Sequence, residues 1–423
     1  MSTLHAGDAR YHPHAPRHPS PASPPPIPYR YIRSAGPLAE LVARLRGADR
    51  AALDAEADSL YHYREKVCVF QLSFSGINYI VDPLAGLDLA ELSRVLEEKA
   101  LIIHGADYDL RLMRVSFGFR PRRGVCDTML AAQLLGYRQF GLAALAESFF
   151  GVVLPKHGQK SDWSRRPLTP SQLDYLVRDT HYLCGIAERL EEELRACGRD
   201  GWHRESCACV VDATAQDSPR DHDEAWRLKE TGRFDRRQLC YLRELWRWRD
   251  AQARTADLPP FKVLGNEQLI ALALAASGAG RKFRFEGVKL PRTCVGRRLE
   301  ALEGAIERGH GMREEEWPGP ERLPRRVREP YSFGLMEKLQ EECARCAGEL
   351  GLDPAVVANR TTLISVARGC PQTAEELASC GPMMRWQAEL LEPRFWQLLR
   401  GAGRGNRRYP PRLTSEQSGA HPK

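Results

Sequence analysis

Apolar and polar positions follow one period in the first half of the chain and another in the second. Leu53, Ala55 and Ala57 alternate with Asp54, Glu56 and Asp58, the two-residue period of a strand. Val67 to Phe74 reads as a second strand, and the turn beginning at Gly76 leads into Asn78 to Val81, giving a hairpin. Leu101 to His104 is a buried-type run that feeds directly into a helix. This alternation from Tyr29 to about Cys197 predicts an α/β domain, a mixed sheet flanked by helices. Beyond Cys197 the strand period does not recur. Leu239, Leu242, Leu245, Trp246 and Arg249 fall at helical spacing, and Val263, Leu264, Leu269, Leu272 and Ala273 continue it past the Pro259-Pro260 break. A third region, Met336 to Leu350, Leu363 to Ala367, Glu375 to Ala378 and Met384 to Leu399, has the same style. Two all-helical domains are therefore expected after the α/β domain.

Composition sets the boundaries. Residues 1–28 are too rich in His and Pro and too poor in large apolar groups to pack, and are expected to be disordered. The divisions that follow are 29–200 for the α/β domain, 201–232 for a connecting helix or linker, 233–315 and 316–402 for the helical domains, and 403–423 for a disordered tail. Arg281 to Glu329, crowded with Arg, Glu, Gly and Pro, reads as a long linker or extended connection.

The charge of +7 and a pI near 8.8 suit a phosphate-bearing partner without requiring one. Leu269 to Ala276 is the nearest approach to a membrane span and falls well short of the roughly 20 apolar residues needed. The N-terminus has no basic-then-apolar signal pattern, so a cytoplasmic protein with reduced thiols is expected. Cys343 and Cys346 have CxxC spacing and Cys207 and Cys209 form a CxC. A zinc site would need both pairs brought together with His203 as a spare ligand. The Cys343 pair sits in a helical pattern (Leu339, Cys343, Cys346, Leu350), so ordinary buried thiols are expected instead. No Gly-x-x-x-x-Gly-Lys phosphate loop occurs, which excludes a helicase and any nucleotide cofactor held in that way.

Acid appears where a buried face would otherwise be apolar. Asp54 and Glu56, two apart on a strand, point to one side of the sheet. In His104 to Asp109 a strand ends and a helix begins: Asp107, four before Arg111, makes a solvent-side ion pair, and Asp109 is the inward acid. Tyr175 and Asp179, four apart, share a helix face. Carboxylates that converge repel one another unless cations lie between them. Two divalent ions about 3.5–4 Å apart, held by such hard oxygen ligands, are a recurring means of phosphodiester cleavage. Mg²⁺ or Mn²⁺ is the expected metal, with Asp54, Glu56, Asp109 and Asp179 as its ligands and Tyr175 positioned to hold the attacking water.

These residues resemble the DEDD exonucleases of the ribonuclease H-like fold, in the subgroup with a tyrosine in the last motif. Asp54 and Glu56 match the first motif, Asp109 the second, and Tyr175 and Asp179 the third. Cys126-Asp127-Thr128-Met129, Ala131 to Gly136 and Lys160 to Leu168 narrow the resemblance to the ribonuclease D branch. Leu245 to Asp250 with Phe261 to Leu264 is similar to the HRDC domain, and the last helical region is similar to it more weakly. The resemblance spans roughly Tyr29 to Leu399. It implies a 3′→5′ exoribonuclease that releases 5′-mononucleotides from RNA with a free 3′ end, tRNA precursors included. Ala57 stands where many relatives have Phe, which removes a stacking group for the terminal base. A DNA exonuclease of the same fold and an inactive nucleic-acid-binding scaffold are the alternatives.

On the substrate side, Lys156, Lys160, Arg165 and Arg166 surround Trp163 just before the Tyr175 helix. Such a loop suits a single strand, with cations on phosphates and a ring on a base; equally, Trp163 anchors the loop in the core and the cations are solvated. His104 is either a residue that polarises water or a structural hydrogen-bonder closing a strand. Gln71 either reaches the site from the neighbouring strand or serves the sheet alone. Of Trp246 and Trp248, two apart on a helix, one belongs to the core and the other is free to face RNA.

Overall fold

The structure, a computed structural model, describes residues 26–155, 158–215, 224–285, 288–319 and 332–403. Most of the N-terminal segment and of the tail expected to be disordered lies outside them. The first domain is built on strands β1 (Tyr29–Ile32), β2 (Arg50–Ala57), β3 (Val67–Phe74), β4 (Ile77–Val81), β5 (Ala100–Ile103) and β6 (Val125–Asp127). They form one sheet in the order β1-β4-β3-β2-β5-β6. β3 runs antiparallel to both β2 and β4, while β1 with β4, β2 with β5, and β5 with β6 are parallel.

The helices of this domain are α1 (Ala35–Arg46), α2 (Ala90–Glu97), α3 (Ala106–Phe117), α4 (Thr128–Leu134), α5 (Leu142–Phe150), α6 (Pro170–His181), α7 (Leu183–Ala196) and α8 (Asp200–Ala215). The two faces of β2 bury different things. Leu53 and Ala55 enter the large core with Leu41, Leu45, Leu92 and Leu110 from α1, α2 and α3. Ala52, on the opposite face, packs against Leu183 and Ala187 of α7. Asp54 and Glu56 share that second face by the period of the strand. β3 is buried along its whole length, so its apolar run does not alternate.

Two helical units follow. α9 (Arg236–Ala256), α10 (Pro260–Val263), α11 (Asn266–Ala279) and α12 (Arg297–Gly311) pack around Leu242, Leu245, Leu269, Leu272 and Leu302. Trp248 is buried there and Trp246 only half-buried. α13 (Phe333–Leu350), α14 (Pro354–Val357), α15 (Arg360–Gly369), α16 (Ala374–Ala378) and α17 (Arg385–Gly403) enclose Leu339, Cys343, Cys346, Val366 and Leu391. α12 corrects the expectation of a linker over Arg281 to Glu329. Leu302, Ala305 and Ile306 form a narrow apolar stripe against α9, which the surrounding Arg and Glu residues mask in the sequence. No described helix is long and apolar enough to cross a membrane.

Candidate active site

β2 brings in the first pair of acids at the centre of the sheet. Its register sets Asp54 opposite Gln71 and Glu56 opposite Val69, and the ladder slips between Glu56 and Ala57, where pairing with β3 loosens. Gln71 is fully buried. With its amide oriented to satisfy both ends, its NH₂ donates to the Asp54 carbonyl at 2.6 Å and the Asp54 carboxylate at 3.2 Å. Gln71 of β3 is thus a residue that orients Asp54, and its buried side chain is not presented to a substrate.

α3 delivers Asp109. The turn into it is made by Gly105, at φ +75°, where a Cβ would also stand 3.2 Å from the Met129 methyl. Asp127, at the end of β6, secures two helix starts at once. Its carboxylate accepts from the N–H groups of Gly105 at 3.0 Å and Ala106 at 2.8 Å on α3, and from Met129 at 2.9 Å and Leu130 at 3.3 Å on α4. This positioning role was not read from the sequence. The signal available was an Asp one residue before a helix, with nothing local to show the second helix it would cap.

α6 contributes Tyr175 and Asp179. Thr169 caps it reciprocally with Gln172: the Thr169 hydroxyl accepts from Gln172 N–H at 3.2 Å, and the Gln172 side chain accepts from Thr169 N–H at 2.9 Å. Pro170 occupies the first turn, where its missing N–H costs nothing. α6 lies across β2, β3 and β4, which sets its inward face over Glu56.

These elements bring the acids together. Among the described residues, Asp54, Glu56 and Asp179 offer carboxylate oxygens that all lie within 4.8 Å of one another, each residue still partly open to solvent. Asp109 stands just outside this trio, buried, with its carboxyl raised by burial and then by Asp54, while the Ala55 N–H works the other way. Burial pushes Asp54 up to about 6. Burial, followed by the charges of Asp54, Asp179 and Asp109, pushes Glu56 up to about 10, and a hydrogen bond from Tyr175 offsets part of this. Asp179 is raised by burial and by Asp54. The Tyr175 hydroxyl lies within hydrogen-bonding reach of both Glu56 and Asp179. Burial and then the neighbouring negative charge hold its phenol well above the ordinary value. Such a set suits hard divalent cations, because protons or cations must occupy a pocket of this much like charge.

The remaining candidates have other partners. His104 hydrogen-bonds Thr128 at 2.9 Å, and burial lowers its pKa, so it is neutral at pH 7. Trp163 is 1% exposed, with its ring 5.8 Å from that of Tyr175; it is an anchor, not a free stacking surface. Arg166 makes a bidentate pair with Asp82, both bonds at 2.7 Å, and also donates to the Cys68 carbonyl at 2.7 Å, which fixes the loop to the sheet. Arg165 is exposed and pairs with Asp162 at 3.0 Å, and Lys160 is exposed. Lys156 lies outside the described residues. Asp107 pairs with Arg111 at 3.5 Å on the surface.

A 3′→5′ exonuclease core joined to HRDC-type helical domains is the class that this sheet, acid cluster and pair of helical units define. The sequence model of the 3'-5' exonuclease family matches residues 29–195, and that of the HRDC domain matches 238–278 and 332–399. Ribonuclease D of Acidiphilium cryptum (strain JF-5) is 29% identical over 378 residues, covering 88% of this chain and 92% of that one. Ribonuclease D of Granulibacter bethesdensis is 30% identical over 296 residues, covering 66% and 71%. The crystal structure of Escherichia coli RNase D, described as an exoribonuclease involved in structured RNA processing, superposes with a TM-score of 0.67 at 23% identity, over 89% of this chain and 99% of that one. The chain belongs to the ribonuclease D family and is a 3′→5′ exoribonuclease.

Proposed function

We propose that the chain trims RNA carrying a free 3′ end, tRNA precursors with 3′ extensions among them, to 5′-mononucleotides in the cytoplasm. Two divalent cations, Mg²⁺ or Mn²⁺, are to be held by Asp54, Glu56, Asp109 and Asp179. The observation that carries this reading is the convergence of Asp54, Glu56 and Asp179 within 4.8 Å beneath the Tyr175 hydroxyl. When bound, such cations neutralise charge on the phosphoryl group and make water more acidic. The protein's own part is positioning. Gln71 holds the Asp54 carboxylate, Asp127 holds the start of the helix that carries Asp109, and Glu56 and Asp179 hold the Tyr175 hydroxyl. The Tyr175 hydroxyl oxygen accepts from, and so orients, a water aimed at the phosphorus.

The test is digestion of a 3′-extended tRNA precursor, beside matched RNA and DNA oligonucleotides, with Mg²⁺ or Mn²⁺ and with EDTA. RNA is expected to shorten from its 3′ end with metal alone, while Asp54→Ala loses roughly a thousandfold or more in rate and stays folded. Equal cleavage by Asp54→Ala, cleavage in EDTA, or a preference for DNA would each refute the reading.

A further inference from the structure

Three segments far apart in the sequence meet beside α6: the loop 58–66 after β2, the loop 158–167, and the end of α9 with α10. His62 stands at the junction. Its Nδ1 is 2.7 Å from the Asp257 carboxylate at the end of α9, and its Nε2 is 3.0 Å from the Ser164 hydroxyl. Tyr63 N–H donates to Asp257 at 3.2 Å and its phenol donates to Asp250 at 2.7 Å. Lys262 of α10 lies over the Tyr61 ring at 4.3 Å, and the Tyr61 hydroxyl donates to the Lys160 carbonyl at 2.6 Å. The first helical domain is thus tied to the 158–167 loop through His62 and Tyr61.

That loop bears directly on Tyr175. Gly158 lies so close that a Cβ there would come within 2.2 Å of the phenol ring, and Trp163 covers another side of the same ring. Trp163 and Arg166 fix the later part of the loop to the sheet, while a cavity of about 640 Å³ lined by Tyr61, Gly158, Ser161, Asp162 and Arg165 leaves the part next to Tyr175 less fully packed. Asp257 occupies the left-handed region at φ +47°, a conformation that favours glycine, yet its side chain is engaged by both His62 and Tyr63.

We propose that His62 and Asp257 are positioning residues. Through them the docked first HRDC domain holds the 158–167 loop against Tyr175, and so sets the rate of the chemical step independently of how the domain itself binds RNA. The inference rests on Tyr175 as the residue that orients the attacking water. It differs from the simple view of an HRDC domain as an RNA tether, because a tether is felt only by RNA long enough to reach it.

The experiment uses the full chain with Asp257→Gly, His62→Ala, Asp257→Asn and Tyr175→Phe, on a tetranucleotide and on a long RNA. Glycine suits the left-handed backbone at position 257, so Asp257→Gly removes the carboxylate without straining the helix end. Asp257→Gly and His62→Ala are expected to lower kcat about tenfold or more on both RNAs, with KM for the tetranucleotide within about twofold. Asp257→Asn, whose amide oxygen still accepts from His62 and Tyr63, recovers most of the rate. Amide exchange in 158–167 rises in the first two variants while that of Val67–Phe74 stays unchanged. The proposal is overturned if kcat is unchanged, if the loss appears on long RNA alone, or if exchange in 158–167 does not move. A Tyr175→Phe protein as fast as wild type would instead overturn the underlying reading of the tyrosine.

Discussion

Tyr175 and Asp54 carry consequences that can be measured one side chain at a time. Removing the Tyr175 hydroxyl leaves a ring still packed between Trp163 and Gly158, so Tyr175→Phe should fold normally. It should lose about 10²–10³-fold in kcat with little change in KM, because water orientation is lost while the grip on RNA remains. The raised carboxyls give a signed pH effect. Asp54, raised to about 6 in the fold, favours the folded metal-free protein fully below the ordinary carboxylate range, and that contribution is lost as pH rises through 6. In EDTA the melting temperature should therefore fall from pH 5 to pH 8, and fall less in Asp54→Asn, which cannot ionise. Mg²⁺ or Mn²⁺ should narrow that fall, binding more tightly as the protons leave. A melting curve in EDTA no steeper with pH for wild type than for Asp54→Asn would show that this carboxylate is not raised.

Helix starts fix where the reactive side chains stand. Asp127 accepts N–H groups from the first turns of both α3 and α4, so Asp127→Ala orphans donors at two helices. A single cap is worth about 1 kcal/mol, and this change should cost about 2–3 kcal/mol in urea unfolding. It should also lower kcat, because α3 carries Asp109. Thr169→Ala, which breaks the reciprocal cap of α6, should cost about 1 kcal/mol and shift Tyr175 less, since α6 is also packed across the sheet. Equal stability of Asp127→Ala and wild type would show that this one acid does not secure both helices.

Across the whole molecule, the first helical unit presents a second face. Between positions 281 and 298 the sequence holds seven Lys and Arg residues against the single acid Glu286. Of these cations, Arg281, Lys282, Arg284, Lys289, Arg292 and Arg297 are exposed. Such a strip suits the phosphate backbone of RNA beyond the nucleotide being removed. Replacing Lys289, Arg292 and Arg297 by Ala should weaken binding of long RNA several-fold. It should also reduce the slope of log affinity against log salt by about one for each phosphate that is no longer neutralised. An unchanged salt slope in filter binding would exclude this strip from the RNA path.

Much of the site was legible because backbone periods are short. Two residues along a strand and four along a helix fix a shared face without knowledge of the fold, so Asp54 with Glu56 and Tyr175 with Asp179 follow from spacing. What spacing does not contain is the partner of a side chain. Arg166 looks like a cation for phosphate until Asp82, 84 residues away, claims it, and Trp163 looks like a stacking platform until the sheet buries it. Asp127 and Gln71 likewise acquire their roles from segments that approach only in the folded chain. α12 was hidden for a related reason: three apolar side chains suffice for a helix once α9 offers a surface to cover. Period and residue type thus determined the elements and the acids they carry. Burial and long-range hydrogen bonds, which exist only when distant segments meet, decided which polar groups remain available for chemistry.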